Sequence, residues 1–131
     1  MTKRYLAKIL AKDRQGLQVI SACCAGAKAK ITDIKYLPKN KMFLLSLERL
    51  TKESNDDSLK INSICKFEFV DSVKSKNIDQ NDLNLVLKLF TIEVLKNKEN
   101  FEINLIFSDN AYITLSTEIV EVTLEDQNKE L

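Results

Sequence analysis

Three cysteines, the adjacent Cys23 and Cys24 and the distant Cys65, are the side chains in this sequence best suited to nucleophilic or metal chemistry. A cysteine reacts through its thiolate, usually beside a basic partner such as histidine. The chain contains no histidine, which excludes Cys-His and Ser-His arrangements and removes the commonest metal ligand. The number of cysteines is odd, and neighbouring cysteines rarely bridge each other. We therefore predict reduced thiols that pack as small hydrophobic groups.

The other residue types used in catalysis show no recognisable spacing. With two glycines in the chain, a glycine-rich phosphate loop of the familiar type is excluded. Adjacent acids occur at Asp56-Asp57 and Glu125-Asp126, and such pairs are usually solvated loop or tail residues. We predict no catalytic residue, no metal site and no cofactor. The sequence favours a non-catalytic binding or protein-interaction module; the alternative is an enzyme that uses a lysine or carboxylate in a sheet concavity, with an unknown substrate.

Basic residues are concentrated in the first part of the chain. Residues 1–52 hold 12 Lys and Arg against 3 Asp and Glu, whereas residues 53–131 hold 8 against 16. This split predicts a basic surface around one hairpin, including a tyrosine that can stack on a ligand. The predicted ligand- or partner-binding residues are Lys35, Tyr36, Lys39, Lys41 and Arg49. The simpler interpretation is that the two halves neutralise each other when they pack together.

A partner of this basic cluster should be acidic. It could be another protein, an acidic small ligand, or a second copy of the chain whose acidic C-terminal strands meet the basic hairpin. Strong nucleic-acid binding is not expected, because the second half is acidic and aromatic and basic residues do not interleave. Residues 1–10 lack the apolar core of a signal peptide, and no run is long enough to span a membrane. We expect a cytoplasmic protein that does not bind membranes.

The elements that must position this cluster begin with residues 31–50, whose pattern predicts a β-hairpin around the only proline. Pro38 pre-sets φ for a type I turn, and Asn40 tolerates a left-handed conformation. The flanking runs are rich in β-branched and aromatic residues, which strands favour. On the outgoing strand Phe43, Leu45 and Leu47 share one face, as expected of a strand covered on one side.

One helix is predicted over residues 14–24, with Asp13 as its N-cap and Gly26 placed to end it. The predicted inward stripe is Leu17, Ile20 and Cys24, and the predicted outward residues are Gln15, Gln18 and Ser21. Strands are predicted at residues 4–11, 64–73 and 83–95, the last covered on both faces, with a helix as the alternative for residues 83–89. Residues 51–58 are polar and predict a mobile surface loop, and residues 96–100 predict a turn.

A second hairpin follows, and its apolar pattern predicts its register. A two-residue turn at Asp109-Asn110 would strand Ile113 and Leu115 on the polar face. We therefore predict a loop of odd length, with Ile113 opposite Phe107, Leu115 opposite Leu105 and Asn110 left-handed. After residue 117 the alternation changes parity, which indicates a bulge or a new strand; a short helix over residues 118–125 is the alternative.

This order predicts a single α+β, mainly β domain over residues 1–131, with residues 126–131 as a frayed tail. The expected architecture is a curved antiparallel sheet or partly closed barrel of about six to eight strands with one N-terminal helix. Pleckstrin-homology-like barrels are the nearest analogy, although their helix comes last. The predicted core residues are Leu17, Ile20, Ile34, Phe43, Leu45, Phe67, Phe69, Leu87, Leu89, Leu105, Phe107 and Leu115.

Three stretches also carry a family resemblance. They are LQVISA at residues 17–22, YLPKNKMF at residues 36–43 followed by Arg49, and a pattern that runs from Phe107 through Ile113, Leu115 and Glu121 to Leu124 and Asp126. Together they resemble an uncharacterised alphaproteobacterial family catalogued as a domain of unknown function, number 2948. The sequence departs from the family where Gly16, Tyr36 and Asn77 stand. The resemblance implies a cytoplasmic bacterial protein, and no activity, ligand or functional residue comes with it.

Overall fold

The computed structural model describes residues 8–50 and 60–127, so the predicted loop at residues 51–58 lies outside the described residues. Within them the chain forms ten strands and one α-helix. In chain order these are β1 (Lys8–Ala11), α1 (Arg14–Cys24), β2 (Lys28–Lys30), β3 (Ile34–Leu37), β4 (Met42–Leu50), β5 (Lys60–Phe67), β6 (Val70–Lys76), β7 (Val86–Asn97), β8 (Asn100–Phe107), β9 (Tyr112–Thr117) and β10 (Val122–Asp126). Short 3₁₀ turns, Ile31–Asp33 and Pro38–Asn40, flank β3.

The helix is confirmed with the predicted bounds. Asp13 has extended backbone angles, and its side chain accepts a hydrogen bond from the Gly16 N–H at 2.7 Å. Gly26 follows the helix with φ +86°, which glycine adopts at little cost. The inward stripe is confirmed, but the prediction that Ser21 faces water is wrong: Ser21 is buried. Its hydroxyl can turn inward because a strand edge offers it a partner.

The hairpin of β3 and β4 is confirmed, with Ile34 opposite Leu45 in the ladder. Its turn differs from the prediction in one residue. Lys41, and not Asn40, adopts the left-handed conformation, at φ 52° and ψ 44°. The turn at Pro38–Asn40 is a 3₁₀ turn closed by the Lys41 N–H, so the residue that redirects the chain into β4 is the one after the turn.

The predicted single strand over residues 64–73 is wrong, because the chain breaks between β5 and β6. Phe69 has φ +61°, outside the strand region, and its side chain is 38% exposed, which removes it from the predicted core. β5 pairs with β4 and β10, whereas β6 pairs with β9. The left-handed residue thus transfers the chain from one half of the sheet to the other.

The strand at residues 83–95 is observed as β7, but it is not covered on both faces. Its inward residues are buried, whereas Phe90 and Leu95 are each about half exposed, at 50% and 51%. The helix alternative for residues 83–89 is excluded by the strand pairing of Val86, Leu87 and Lys88 with β2. The apolar run in the sequence is continuous because apolar residues such as Phe90 and Leu95 also occupy the solvated face of β7, and such a run is typical of a strand covered on both faces.

The loop between β8 and β9 has the predicted odd length. The Phe107 N–H donates to Ala111 O at 2.8 Å across three loop residues, and both Asp109 and Asn110 are left-handed. Ile113 lies opposite Leu105, and not opposite Phe107 as predicted. Its partner is thus displaced by two residues along β8, an even number, so every side chain keeps its predicted face.

The strands form one large antiparallel sheet that is not closed, ordered β1-β10-β5-β4-β2-β7-β8-β9-β6, with β3 also paired to β4. The mainly β class with one N-terminal helix is confirmed, and the strand count exceeds the prediction. The alternative of a short helix over residues 118–125 is wrong: residues 118–121 connect β9 to β10, and residues 122–125 belong to β10. β10 includes Asp126, which is buried, so the tail does not begin there; residues 128–131 lie outside the described part of the chain.

One continuous core joins both halves of the sheet and the helix. Of the predicted core residues, Ile34 is partly buried and Phe69 is exposed. The other ten are buried, namely Leu17, Ile20, Phe43, Leu45, Phe67, Leu87, Leu89, Leu105, Phe107 and Leu115. Phe43 and Phe67 meet edge to face at the centre, with ring centroids 5.9 Å apart.

Candidate functional site

The structure separates Arg49 from the rest of the predicted basic cluster. Arg49 lies on the inner face of β4, and its side chain is 11% exposed. Its Nη2 donates to both carboxylate oxygens of Asp126, at 2.6 Å to Oδ2 and 2.8 Å to Oδ1. Charge-assisted bonds of this forked kind hold both groups in one geometry. Arg49 is therefore the partner of a buried carboxylate and does not contribute to a surface.

Ser63 completes this buried polar cluster. Its hydroxyl donates to Asp126 Oδ1 at 2.6 Å, and Arg49 Nε donates to Ser63 Oγ at 3.0 Å. Burial raises the pKa of the Cys24 thiol to about 12, with smaller and opposed effects from the charges of Arg49 and Asp126. Burial likewise raises the pKa of Cys65 well above its usual value. These thiols are poor nucleophiles, as the sequence predicts.

The charge of Lys41 is compensated by two carboxylates of the same chain. Its ammonium group lies 3.2 Å from Asp71 Oδ1 and 3.4 Å from Glu118 Oε1. Hydrogen bonds to these two carboxylates, that of Asp71 first, raise the pKa of Lys41. Because Lys41 is exposed, the pairs are worth little stability, but they position the turn beside β6.

The free edges of β3 and β6 line the same cavity. Among the described strands, β3 pairs with β4 and β6 with β9, and each has no strand on its other edge. These edges border a cavity of about 320 Å³, which we call the seam cavity; Ile34 and Tyr36 line it from β3, and Val73 and Ser75 from β6. A free edge presents N–H and C=O groups that can pair with a further strand. The sheet is thus interrupted at the seam cavity, between two edges that lack a further strand among the described residues.

Hydrogen bonds join the two sides of the seam cavity near Val70. The Val70 N–H donates to Lys41 O at 2.8 Å, and the Tyr36 hydroxyl donates to Val70 O at 3.1 Å. On the β6 side, Gln80 Nε2 donates to Ser75 Oγ at 3.1 Å, and both residues line the cavity. Tyr36 thus joins the two edges through its hydroxyl and lines the cavity, and its predicted stacking on a ligand stays a prediction.

The floor of the seam cavity is apolar and belongs to the core. Phe43 from β4 and Ile113 from β9 are buried beneath it, and Ile78 packs from the segment after β6. An occupant must therefore place apolar groups inward, because an unpaired polar group here would lose its hydration.

Lysines flank the seam cavity on its outer side. Val73 packs inward, so its neighbours Lys74 and Lys76 point outward from β6; by the same alternation Lys35 points outward from β3. Lys39 is exposed in the adjoining turn. None of these four forms an ion pair with any described residue. The prediction from the sequence did not include Lys74 and Lys76, because they are distant from the hairpin along the chain.

The exposed edge of β7 is occupied differently, by the helix. Beyond the short strand β2, the Ile92 N–H donates to Ser21 Oγ at 2.9 Å. Arg14 Nη2 donates to Val94 O at 3.4 Å. Side chains of α1 therefore replace part of the missing strand, and this edge is less available for pairing than those at the seam cavity.

Ionisable groups do occur in a second concavity, a shallow cleft of about 750 Å³ on the outer face of β4 and β5. Its charged residues are Lys28, Lys30, Asp33 and Glu48. The first three are exposed and Glu48 is half-buried, so none is desolvated as catalytic acids and bases usually are. No set of three potential ligands able to hold a metal occurs among the described residues.

These features define a mainly β protein with one open sheet, a covering helix and an apolar cavity between two strand edges. Residues 7–131 match the family model described as protein of unknown function (DUF2948), and the chain belongs to this family. The predicted resemblance is thereby confirmed. No curated protein and no solved structure matches the chain. None of the described helices is long and apolar enough to cross a membrane.

Proposed function

We propose that this protein is a non-catalytic protein-interaction module that binds an extended segment of a partner at the seam cavity. One observation carries the proposal: two free strand edges line one cavity whose floor is apolar and continuous with the core. Adding a partner strand to a free edge supplies main-chain hydrogen bonds, and the cavity supplies a pocket for alternate side chains.

The distribution of perturbed groups supports binding over catalysis. Among the described residues the pKa is raised at Cys24 and Cys65, which are buried in the core, and at Lys41 and Glu68, which lie at the surface. None of them lines the seam cavity or the outer cleft. A lysine or carboxylate enzyme would place such a group in a concavity.

The proposal includes a cytoplasmic location in an alphaproteobacterium, supported by buried, unbridged thiols and by the resemblance of residues 17–22 and 36–43. A second copy is a less favoured partner. The expected contact between basic hairpin and acidic C-terminal residues is made within one chain, where Lys41 meets Glu118. Two copies therefore gain less from exchanging it.

The test compares two tryptophan substitutions on the same edge strand. Ser75 lines the seam cavity, whereas Ser72 is exposed and does not line it. Peptides selected from a phage-displayed random library on the parent protein should lose binding to Ser75→Trp and keep it with Ser72→Trp. Circular dichroism confirms that both variants fold.

Failure of the library to enrich any peptide would overturn the proposal. Peptides that bind the two variants equally well would do the same, because they would show that binding occurs outside the seam cavity.

A further inference from the structure

The charges around the seam cavity indicate the chemistry of its occupant. The three lysines that flank it, Lys35, Lys74 and Lys76, come from two strands that are distant in sequence. Lys35 and Lys74 form no ion pair within the described chain, and the Lys76 ammonium lies over the Tyr112 ring of β9, 5.8 Å from its centroid, whereas Lys41 pairs with Asp71 and Glu118. Positive charge therefore borders the outer side of the cavity.

The side chains of a partner strand between β3 and β6 would point alternately towards the core and towards solvent. Its inward side chains would meet Ile34, Val73 and the apolar floor, and its outward side chains would lie between Lys35 on one edge and Lys74 on the other. Side chains directly across neighbouring strands interact, and opposite charges there are favourable. Inward positions thus favour aliphatic residues, and outward positions favour acids.

We propose that the partner segment is an extended peptide of alternating aliphatic and acidic residues. This inference rests on the proposed function and adds the identity of the ligand class. The cavity of about 320 Å³ accommodates only a few inward side chains, so the recognised segment is short. Its backbone pairs with the free edge of β6, β3 or both.

The experiment uses three fluorescein-labelled hexapeptides with blocked ends. The first alternates valine and glutamate, the second alternates valine and lysine, and the third contains three valines followed by three glutamates. Fluorescence anisotropy measures binding to the full chain. We expect the first peptide to bind about tenfold more tightly than either of the others, because only the first places several acidic side chains opposite the flanking lysines at once.

Two variants test the assigned lysines. In Lys74→Glu/Lys76→Glu the preference should reverse towards the valine-lysine peptide. The matched control Lys12→Glu/Lys96→Glu alters two exposed lysines away from the seam cavity and should keep the preference of the parent. Binding of the first peptide should also weaken as salt rises and should slow hydrogen exchange of backbone amides in β6.

The outcomes separate the two proposals. If the valine-glutamate and valine-lysine peptides bind equally and Ser75→Trp abolishes both, the seam cavity is a binding site and the charge inference is wrong. If no peptide binds, or if binding survives in Ser75→Trp, both proposals are overturned.

Discussion

At the scale of single residues, Arg49 and Asp126 illustrate how a buried charge is tolerated. The Asp126 side chain is 1% exposed, and it accepts hydrogen bonds from Arg49 and Ser63. Removing one partner of a buried pair leaves the other charged and desolvated, which costs more than the pair contributes. Both residues belong to the pattern that carries the family resemblance, and the structure supplies a physical reason for their presence.

Replacing Asp126 with asparagine should lower the free energy of unfolding by about 3–5 kcal/mol, because Arg49 would keep its buried charge without a counter-charge. Urea denaturation measures the change. The matched control is Glu125→Gln, which alters an exposed neighbour that pairs with Lys8 at the surface and should change stability by less than about 1 kcal/mol. Equal effects of the two substitutions would contradict the assignment of a buried pair.

Thiol reactivity provides a second test at this scale. Cys24 and Cys65 are buried and their pKa values are raised, whereas Cys23 is only partly buried. In the folded protein a thiol reagent at mildly alkaline pH should modify Cys23 faster than the other two, and denaturant should expose all three. Reductant should leave the melting temperature unchanged. Rapid modification of Cys24 without denaturant would show that its burial is wrong.

The carboxyl pair Glu68 and Glu121 predicts a dependence on pH. Hydrogen bonding to Glu121 and, less strongly, desolvation raise the pKa of Glu68 above 4.5 in the folded state. The folded state therefore binds the proton more tightly than the unfolded state, so stability falls as pH rises from 4.5 through the raised pKa. Glu68→Gln keeps a donor and removes the charge, so it should raise the melting temperature at about pH 7 and have little effect at about pH 4.

The matched control is Glu99→Gln, which removes the charge of an exposed glutamate in the turn between β7 and β8. If Glu68→Gln raised the melting temperature equally at both pH values, the proposed link between stability and protonation of Glu68 would be wrong.

At the scale of elements, α1 acts as a cover for a strand edge as well as a core helix. Ser21→Ala would leave the Ile92 N–H without its acceptor and should lower the free energy of unfolding by about 1–3 kcal/mol. Gln18→Ala, on the exposed face of the same helix, should cost less than about 0.5 kcal/mol. Thermal and urea denaturation measure both. Hydrogen exchange at Ile92 should quicken in Ser21→Ala, and an unchanged rate would contradict the edge contact.

Elements that local rules specify were predictable from the sequence. The Asp13 cap, the stripe of α1, the proline hairpin and the odd loop near Asn110 depend on neighbours a few residues away. Ser21 was misjudged because its partner Ile92 is 71 residues further along the chain. Phe69 was misjudged because no local turn signal marks its left-handed backbone, which lies where the chain leaves β5 and enters β6.

The candidate site was predictable only in part, for the same reason. The hairpin supplies Lys35 and Tyr36, but β6 and its lysines reach them only through the pairing of β6 with β9. Long-range pairing of strands has no local signature in one sequence. Arg49 was grouped with the surface lysines because the sequence alone does not show that Asp126 is buried. Arg49 lies on the inner face of β4, where it pairs with this carboxylate.

At the scale of the whole molecule, the uneven charge of the two sequence halves is largely resolved by folding. Lys8 meets Glu125, Lys41 meets Glu118, and Arg49 meets Asp126, so each of these pairs joins the basic half to the acidic half. The simpler interpretation of the charge split thus accounts for these residues. Lys35, Lys74 and Lys76, like several other described lysines, form no such pair, and their position beside the seam cavity is why they carry the proposal about the partner.

The core also joins the two half-sheets, one containing β4 and β5 and the other β7, β8 and β9. Phe43 and Phe107 are buried in one continuous cluster that spans both. Truncating either to alanine should lower the free energy of unfolding by about 3–5 kcal/mol, and the protein should still unfold in one transition. Far-UV circular dichroism and tyrosine fluorescence should therefore give the same midpoint.

The control for these substitutions is Phe90→Ala, which truncates a phenylalanine that is 50% exposed on β7 and should cost less than either core substitution. If Phe43→Ala melted like the parent, its assignment to the core would be wrong. If the two spectroscopic signals separated in Phe107→Ala, the half-sheets would be independent units. Because Phe43 also lines the seam cavity, coincident signals would mean that the strand edges at this cavity are maintained by the stability of the whole molecule.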